Sequence, residues 1–163
     1  MFTIKAAKSN FFDRKSVLDA VGRASVKVFN EFGRAVRKRA QKSLVYADGP
    51  SAAGAPPHAH KTGTRRRVSK STGKVRVRSV SFLREFLFYA YDPSTKSVVI
   101  GPAKLNSVVS PDALAALEYG GTSTVKVGGK LKRAPIAAHP FMRPAAEAET
   151  PGLPAMWRDS VRS

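Results

Sequence analysis

Three histidines, eleven carboxylates and no cysteine are what this chain offers to catalysis or metal binding. His58 and His60 stand two apart, the only spacing resembling a metal pair, with neither a carboxylate nor a third imidazole close by in the sequence. Two imidazoles alone make a weak site, so they read as solvent-exposed loop residues. His139, which precedes Pro140, reads as a packed or surface residue rather than a general base. The carboxylates are scattered, and no two share an apolar setting that would drive their pKa values apart. Gly120-Gly121 and Gly128-Gly129 lack the strand, loop and Lys-Ser/Thr ending of a phosphate loop. The lack of Cys removes zinc-thiolate sites, thiol nucleophiles and disulfides together. No catalytic residue, cofactor or metal is expected, and the chain does not read as an enzyme.

What is abundant is positive charge. Lys and Arg number 29 against 11 Asp and Glu, a net +18 on 163 residues. Self-repulsion of that size contributes nothing to folding, so it points to a polyanion or to strongly acidic protein neighbours. Between Arg14 and Arg78 stand 17 basic and 3 acidic residues, so most of the excess lies in the first half. Arg65, Arg66 and Arg67, with Lys61, Lys70 and Lys74, could follow a phosphate backbone or an acidic protein face. The aromatics that follow could stack bases, although Phe82, Phe86, Phe88, Tyr89 and Tyr91 read first as the core of a sheet.

The elements that must position these groups follow from periodicity. Val17, Leu18, Val21, Val28, Phe32, Val36, Ala40 and Leu44 recur at three-, four- and seven-residue intervals, which predicts one long amphipathic helix from Arg14 to Leu44. Asp13 as N-cap, or Ser16 with Asp19 as a capping box, would start it. Its outer face is cationic and includes Arg34, Arg37 and Lys38 as candidate contacts. Residues 47–63 are rich in Pro, Gly, Ala and Ser and read as an extended loop that runs on into the basic stretch, making a Pro/Gly-rich basic loop over about 47–74. Val75 and Val77 then alternate with Arg76 and Arg78. Strand-like runs cover 82–91, 96–100 and 124–127, separated by turn signals. A short helix is expected from Ser110 as N-cap and Pro111 as first residue to Gly120, and helical turns from Phe141 to Thr150 and from Pro154 to Val161, interrupted by Pro151 and Gly152. One domain spanning 1–163 is the natural reading of this length. No apolar run approaches the roughly 20 residues that span a bilayer, and the first residues lack the apolar block of a secretory signal. A soluble protein without a membrane partner is expected.

Three segments in a fixed order carry more information than any one of them: GAPPHAHKTGT at 54–64, ALEYGGT at 116–122 and AHPFMRPA at 138–145. In this the chain resembles the neck or tail-completion family of long-tailed bacteriophages, the relatives of minor tail protein Z of the lambdoid phages. The residues bearing the likeness are Thr62 and Gly63, then Glu118, Tyr119 and Gly120, then Pro140, Phe141, Arg143 and Pro144. Relatives usually continue with Arg-Leu-Arg and a strand directly after Thr-Gly, whereas this chain has Arg65-Arg66-Arg67 and a Ser/Lys/Gly stretch. The glycines would reverse the chain after a helix, the prolines would set the entry angle of the last helix, and Arg143 would pair with a carboxylate such as Glu118.

The expected fold is α+β, a long N-terminal helix packed on a small antiparallel β-sheet, with a short helix and a C-terminal helix. The resemblance implies a virion protein of the head-to-tail junction, made in the host cytoplasm. It would form a homo-oligomeric ring of six or twelve copies around the DNA channel, between head-completion connectors and the tail terminator or tail tube. Ring interfaces are heterologous, one patch pair repeating around the axis. Duplex DNA carries a charge per about 1.7 Å, so roughly 45 Å of it presents about 26 phosphates, whereas six copies at +18 would carry +108. Most of the basic surface is thus expected to face acidic protein, with a minority near the genome DNA. The competing expectation is a free-standing basic nucleic-acid-binding protein.

Overall fold

A computed structural model describes residues 14–103, 113–158 and 160. The readings placed on Asp13, on Ser110 and Pro111, and on the two chain ends lie outside them.

Helix α1 covers Arg14–Ser43, roughly 45 Å at 1.5 Å per residue. It buries Ala24, Val28, Gly33, Val36 and Ala40, a stripe that continues into Leu44. Its first turns depart from the expected stripe: Val17, Leu18 and Val21 are exposed, because no other described element covers that end of the helix. Ser16 lies inside the helix and so is not its N-cap.

The fold is α+β, and its β part consists of three separate two-stranded antiparallel ladders rather than one sheet. Strands β1 (Gly63–Val68) and β2 (Val75–Val80) form the first. The basic stretch is therefore a hairpin and not the continuation of a loop; irregular chain ends at Thr62, and the Ser/Lys/Gly stretch is the turn. Ser69 N–H donates to Lys74 O across that turn, and Gly73 N–H to Ser69 O. A strand does follow directly on Thr62-Gly63. The run expected as one strand over 82–91 divides. Ser81, in extended conformation, accepts N–H bonds from Arg84 and Glu85 on its carbonyl, which closes one helical turn, α2 (Phe82–Glu85). Strand β3 (Leu87–Asp92) then pairs with β4 (Ser97–Pro102). Helix α3 (Ala113–Tyr119) ends at Gly120, whose φ of 78° reverses the chain into β5 (Gly121–Val127). Strand β6 (Lys130–Ile136) pairs back on β5 and is an addition to the expected elements, masked in the sequence by its charge and Pro135. Helix α4 (Met142–Glu149), a 3₁₀ turn (Thr150–Gly152) and helix α5 (Leu153–Arg158) close the described chain. Pro151 and Gly152 tighten the path into that 3₁₀ turn.

The core is small: Val36 and Ala40 of α1 and Leu44 just past its end meet Ala59 of the Pro-rich loop, Leu87 of β3, and Phe141 and Ala145 at the start of α4. Helix α1 can approach β3 closely because Gly33 has no side chain. A Cβ there would lie 2.8 Å from Tyr89 Cδ2 and 3.0 Å from Tyr89 Cβ. The Phe29 ring stacks on Tyr91 and meets Trp157 edge-on, with centroids 6.0 and 5.9 Å away, which extends the contact of α1 to β3 and α5.

Two predictions follow from this packing. Gly33→Ala is expected to lower stability, since overpacking costs about 1–3 kcal/mol against about 1 kcal/mol of helix propensity gained. Gly22→Ala on the same helix, with nothing within 4 Å, is expected to raise it; urea unfolding of both variants checks the opposite signs. In the β3–β4 turn, Asp92 accepts bonds from Ser94 N–H and Oγ–H and from Thr95 Oγ–H. These bonds, the Ser94 hydroxyl first, hold its pKa below the ordinary carboxylate value. Ionised Asp92 thus supports the turn above the unfolded pKa of about 4, and that support is lost as pH falls through the lower folded value. An NMR titration of the Asp92 carboxyl should show its midpoint below that of an unstructured Asp.

Candidate interaction surface

The segments 54–64, 116–122 and 138–145 meet around the start of α4, which Glu118 caps. Glu118 is buried, the residue being 8% exposed. Oε2 accepts the N–H groups of Phe141 and Met142 at 3.0 and 3.1 Å, and Oε1 accepts that of Arg143 at 2.8 Å. A helix leaves its first four N–H groups without partners. At α4 three of them end on Glu118, and the fourth position is Pro144, which has no N–H to satisfy. The expected side-chain pair of Arg143 with Glu118 is not formed. The Arg143 guanidinium instead lies 3.7 Å from Glu147, one turn along its own helix, because its backbone already occupies the carboxylate.

Around this cap the other segments close. His139 N–H donates to Leu117 O at 2.7 Å, and Gly54 N–H to Ala138 O at 2.8 Å. His139 Nδ1 lies 2.9 Å from Ala55 O and 3.0 Å from Ser51 Oγ. A carbonyl can only accept, so Nδ1 carries the hydrogen and the ring ties down the Pro-rich loop. Gly120 sits with its missing Cβ 3.3 Å from Ala138 N, a second reason for glycine there. Phe141 is buried and anchors the start of α4, whereas Tyr119 is exposed. Pro140, Phe141 and Pro144 line a shallow cavity of about 390 Å³ with Arg39 and Gly54. Arg39 also pairs with Glu149 at the far end of α4.

The candidate cations lie elsewhere. Arg65, Arg66 and Arg67 are exposed on β1, and Lys61, Lys70 and Lys74 flank or form the hairpin turn and base. Both faces of the hairpin are open. Arg65 stands opposite Arg78, and Arg67 opposite Arg76, on one face, while Val68, Val75 and Val77 join Arg66 on the other. Those three valines are all exposed. Thr62 secures the base: its N–H and Oγ donate to Val80 O, and its Oγ accepts Phe82 N–H. Gly63 begins β1 in ordinary space, a Cβ there meeting only Val80 at 3.7 Å. Tyr46, just past α1, donates its hydroxyl to Ser79 O and lies under the Arg84 guanidinium at 4.9 Å, joining hairpin, α2 and helix end.

On α1, Lys38 and Arg34 are exposed, and a hydrogen bond to the Tyr89 hydroxyl raises the Arg34 pKa further. Arg37 is a brace rather than a free contact. Its Nε donates to Leu87 O at 2.6 Å and its guanidinium sits 6.0 Å from the Phe88 ring. The aromatics expected in the core divide. Phe82 and Phe88 are 56% and 50% exposed, and with Phe86 between them they form an open row, with centroids 5.5 and 6.3 Å apart. Sequence reasoning also passed over Glu85, which bridges Arg65 and Arg78; the alternation at 75–78 was the available sign that a second strand would bring those arginines together.

Of the histidines, His58 Nδ1 lies 3.1 Å from Gly49 O and His60 is exposed. Among the described residues no three His, Cys, Asp or Glu cluster to hold a metal ion, and no helix is long and apolar enough to cross a membrane. No known protein family, curated protein or solved structure matches this chain.

Removing the Glu118 carboxylate strands three N–H groups at a buried helix start. Glu118→Ala is expected to cost roughly 2–4 kcal/mol, and Glu118→Gln less, because one amide oxygen still accepts. Chemical denaturation of both variants measures the order, wild type above Gln above Ala.

Proposed function

We infer that this protein is a structural subunit of the head-to-tail junction of a long-tailed bacteriophage, a neck or tail-completion protein acting by binding its neighbours. It assembles as a ring of six or twelve copies around the DNA channel. Connector proteins of the head lie on one side, the tail terminator or tube on the other, and the genome DNA in the lumen. The observation that carries this reading is the convergence of the three resembling segments on Glu118. Segments far apart in sequence that close around one helix start behave as a single structural signature, so the likeness rests on one physical unit rather than on three short matches.

The exposed surface suits an assembly subunit. A two-stranded hairpin standing alone is marginal in water, and here its valine face is open, as are Val17, Leu18 and Val21 at the start of α1. Open apolar surface of this kind marks sites that a partner covers.

One observation favours a second reading, a free-standing nucleic-acid-binding protein: the open row of Phe82, Phe86 and Phe88 beside basic residues offers stacking faces to unpaired bases. Electron microscopy of lysates separates the two. A nonsense mutation early in this reading frame of the encoding phage is expected to leave full heads beside separate tails, restored by complementation. Normal infectious particles would overturn the junction assignment and bring the nucleic-acid reading forward.

A further inference from the structure

The arginine face of the β1–β2 hairpin contains two rungs of like charge. Arg65 lies directly opposite Arg78 and Arg67 directly opposite Arg76, an arrangement that destabilises a ladder unless something neutralises it. At the first rung the chain supplies the remedy itself. Glu85, from the helical turn that follows β2, places Oε2 at 3.3 Å from Arg65 and Oε1 at 3.0 Å from Arg78, so one carboxylate bridges both guanidinium groups. At the second rung no carboxylate is present among the described residues, and neither Arg67 nor Arg76 forms an ion pair or side-chain hydrogen bond with any of them. The two rungs are two residues apart on the same face, about 6.6–6.8 Å along the strand.

We propose that Arg67 and Arg76 together receive a carboxylate from an acidic segment of a partner protein, as Glu85 already bridges Arg65 and Arg78. The partner completes a pattern whose first half is built in. Two guanidinium groups converging on one carboxylate make charge-assisted bonds of defined geometry, so the contact selects a carboxylate at one place instead of attracting anions at large. A protein fits better than a nucleic acid for two reasons. The opposite face of the same strands exposes Val68, Val75 and Val77 at 45–64%, which a protein surface can cover and a phosphate backbone cannot. Glu85 also sits within the arginine row, where it would repel a run of phosphates. The proposal rests on the assembly reading only in taking the partner to be a protein.

The test uses the full chain and two fluorescent probes, a peptide of alternating Glu and Thr and a DNA duplex, with binding followed by anisotropy at two salt concentrations. The double variant Arg67→Ala with Arg76→Ala is compared with Arg66→Ala plus Lys70→Ala, which removes equal charge from outside the rung. The expected result is peptide binding weakened about tenfold or more, some 1.4 kcal/mol, by the first pair and within about twofold of wild type for the second. Equal weakening by both pairs would overturn the rung-specific site and leave only diffuse charge. A selective loss of duplex binding with peptide binding unchanged would overturn the protein partner. Far-UV circular dichroism establishes that each variant folds. Should the first pair not fold, Glu85→Gln decides: freeing the built-in rung should tighten the peptide severalfold, and unchanged or weaker binding would contradict the proposal. Failure here with unjoined heads and tails in the phage experiment would discard this contact and leave the junction assignment standing.

Discussion

The carboxylate of Glu118 at the start of helix α4 is the interaction on which the arrangement depends. It takes the N–H groups of Phe141, Met142 and Arg143, and Pro144 removes the remaining donor by having none. The helix start can therefore sit inside the protein without a stranded polar group. That in turn lets Phe141 and Ala145 pack on Val36, Ala40 and Leu44. Glu118 owes its position to α3, which ends at Gly120, and the chain then returns through β5 and β6 to deliver Ala138 and His139 to the Pro-rich loop. The Glu118 cap thus joins α3 to α4, and the bonds of Ala138 and His139 add the Pro-rich loop, relating three segments that local propensity alone would leave independent.

From this frame the basic hairpin projects with little support of its own. Tyr46, Thr62, Arg84 and Glu85 hold its base, and toward the turn neither face is covered. The contrast between the two ends has a physical meaning. Where arginines oppose one another near the base, the chain provides a carboxylate; where they oppose one another nearer the tip, none of the described residues does. Exposed ion pairs add little stability individually, so Glu85 serves mainly to keep the lower rung together. A net charge of +18, concentrated in α1 and this hairpin, is costly for an isolated chain and useful for one that meets acidic neighbours.

Much of the architecture was legible in the sequence because it rests on periodicity and turn chemistry. The apolar spacing gave α1, the Gly120 reversal gave the end of α3, and the AHPFMRPA segment marked the start of α4. What was misread shares a cause, in that pairing partners distant in sequence decide it. The basic stretch looked like loop because three successive arginines offer no apolar alternation, and only pairing with 75–80 makes 63–68 a strand. Glu118 was linked to the right segment through the wrong group, since side-chain charge suggested Arg143 while the unsatisfied helix N–H groups claimed the carboxylate. Phe82 and Phe88 were assigned to a core on hydrophobicity, but Phe82 opens a one-turn helix at the surface and Phe88 takes the outward side of β3, next to buried Leu87. Glu85 and Gly33 were not legible at all, because each acts through a contact with another element.

The most direct measurement of the central claim is amide hydrogen exchange by NMR on wild type and Glu118→Gln. If Glu118 locks the three segments together, the amides of Phe141, Met142 and Arg143 lose protection in the variant. Those of Gly54 and His139 lose it with them, while the β1–β2 ladder exchanges as before. Protection retained at those five amides, or lost evenly across the whole chain, would contradict it.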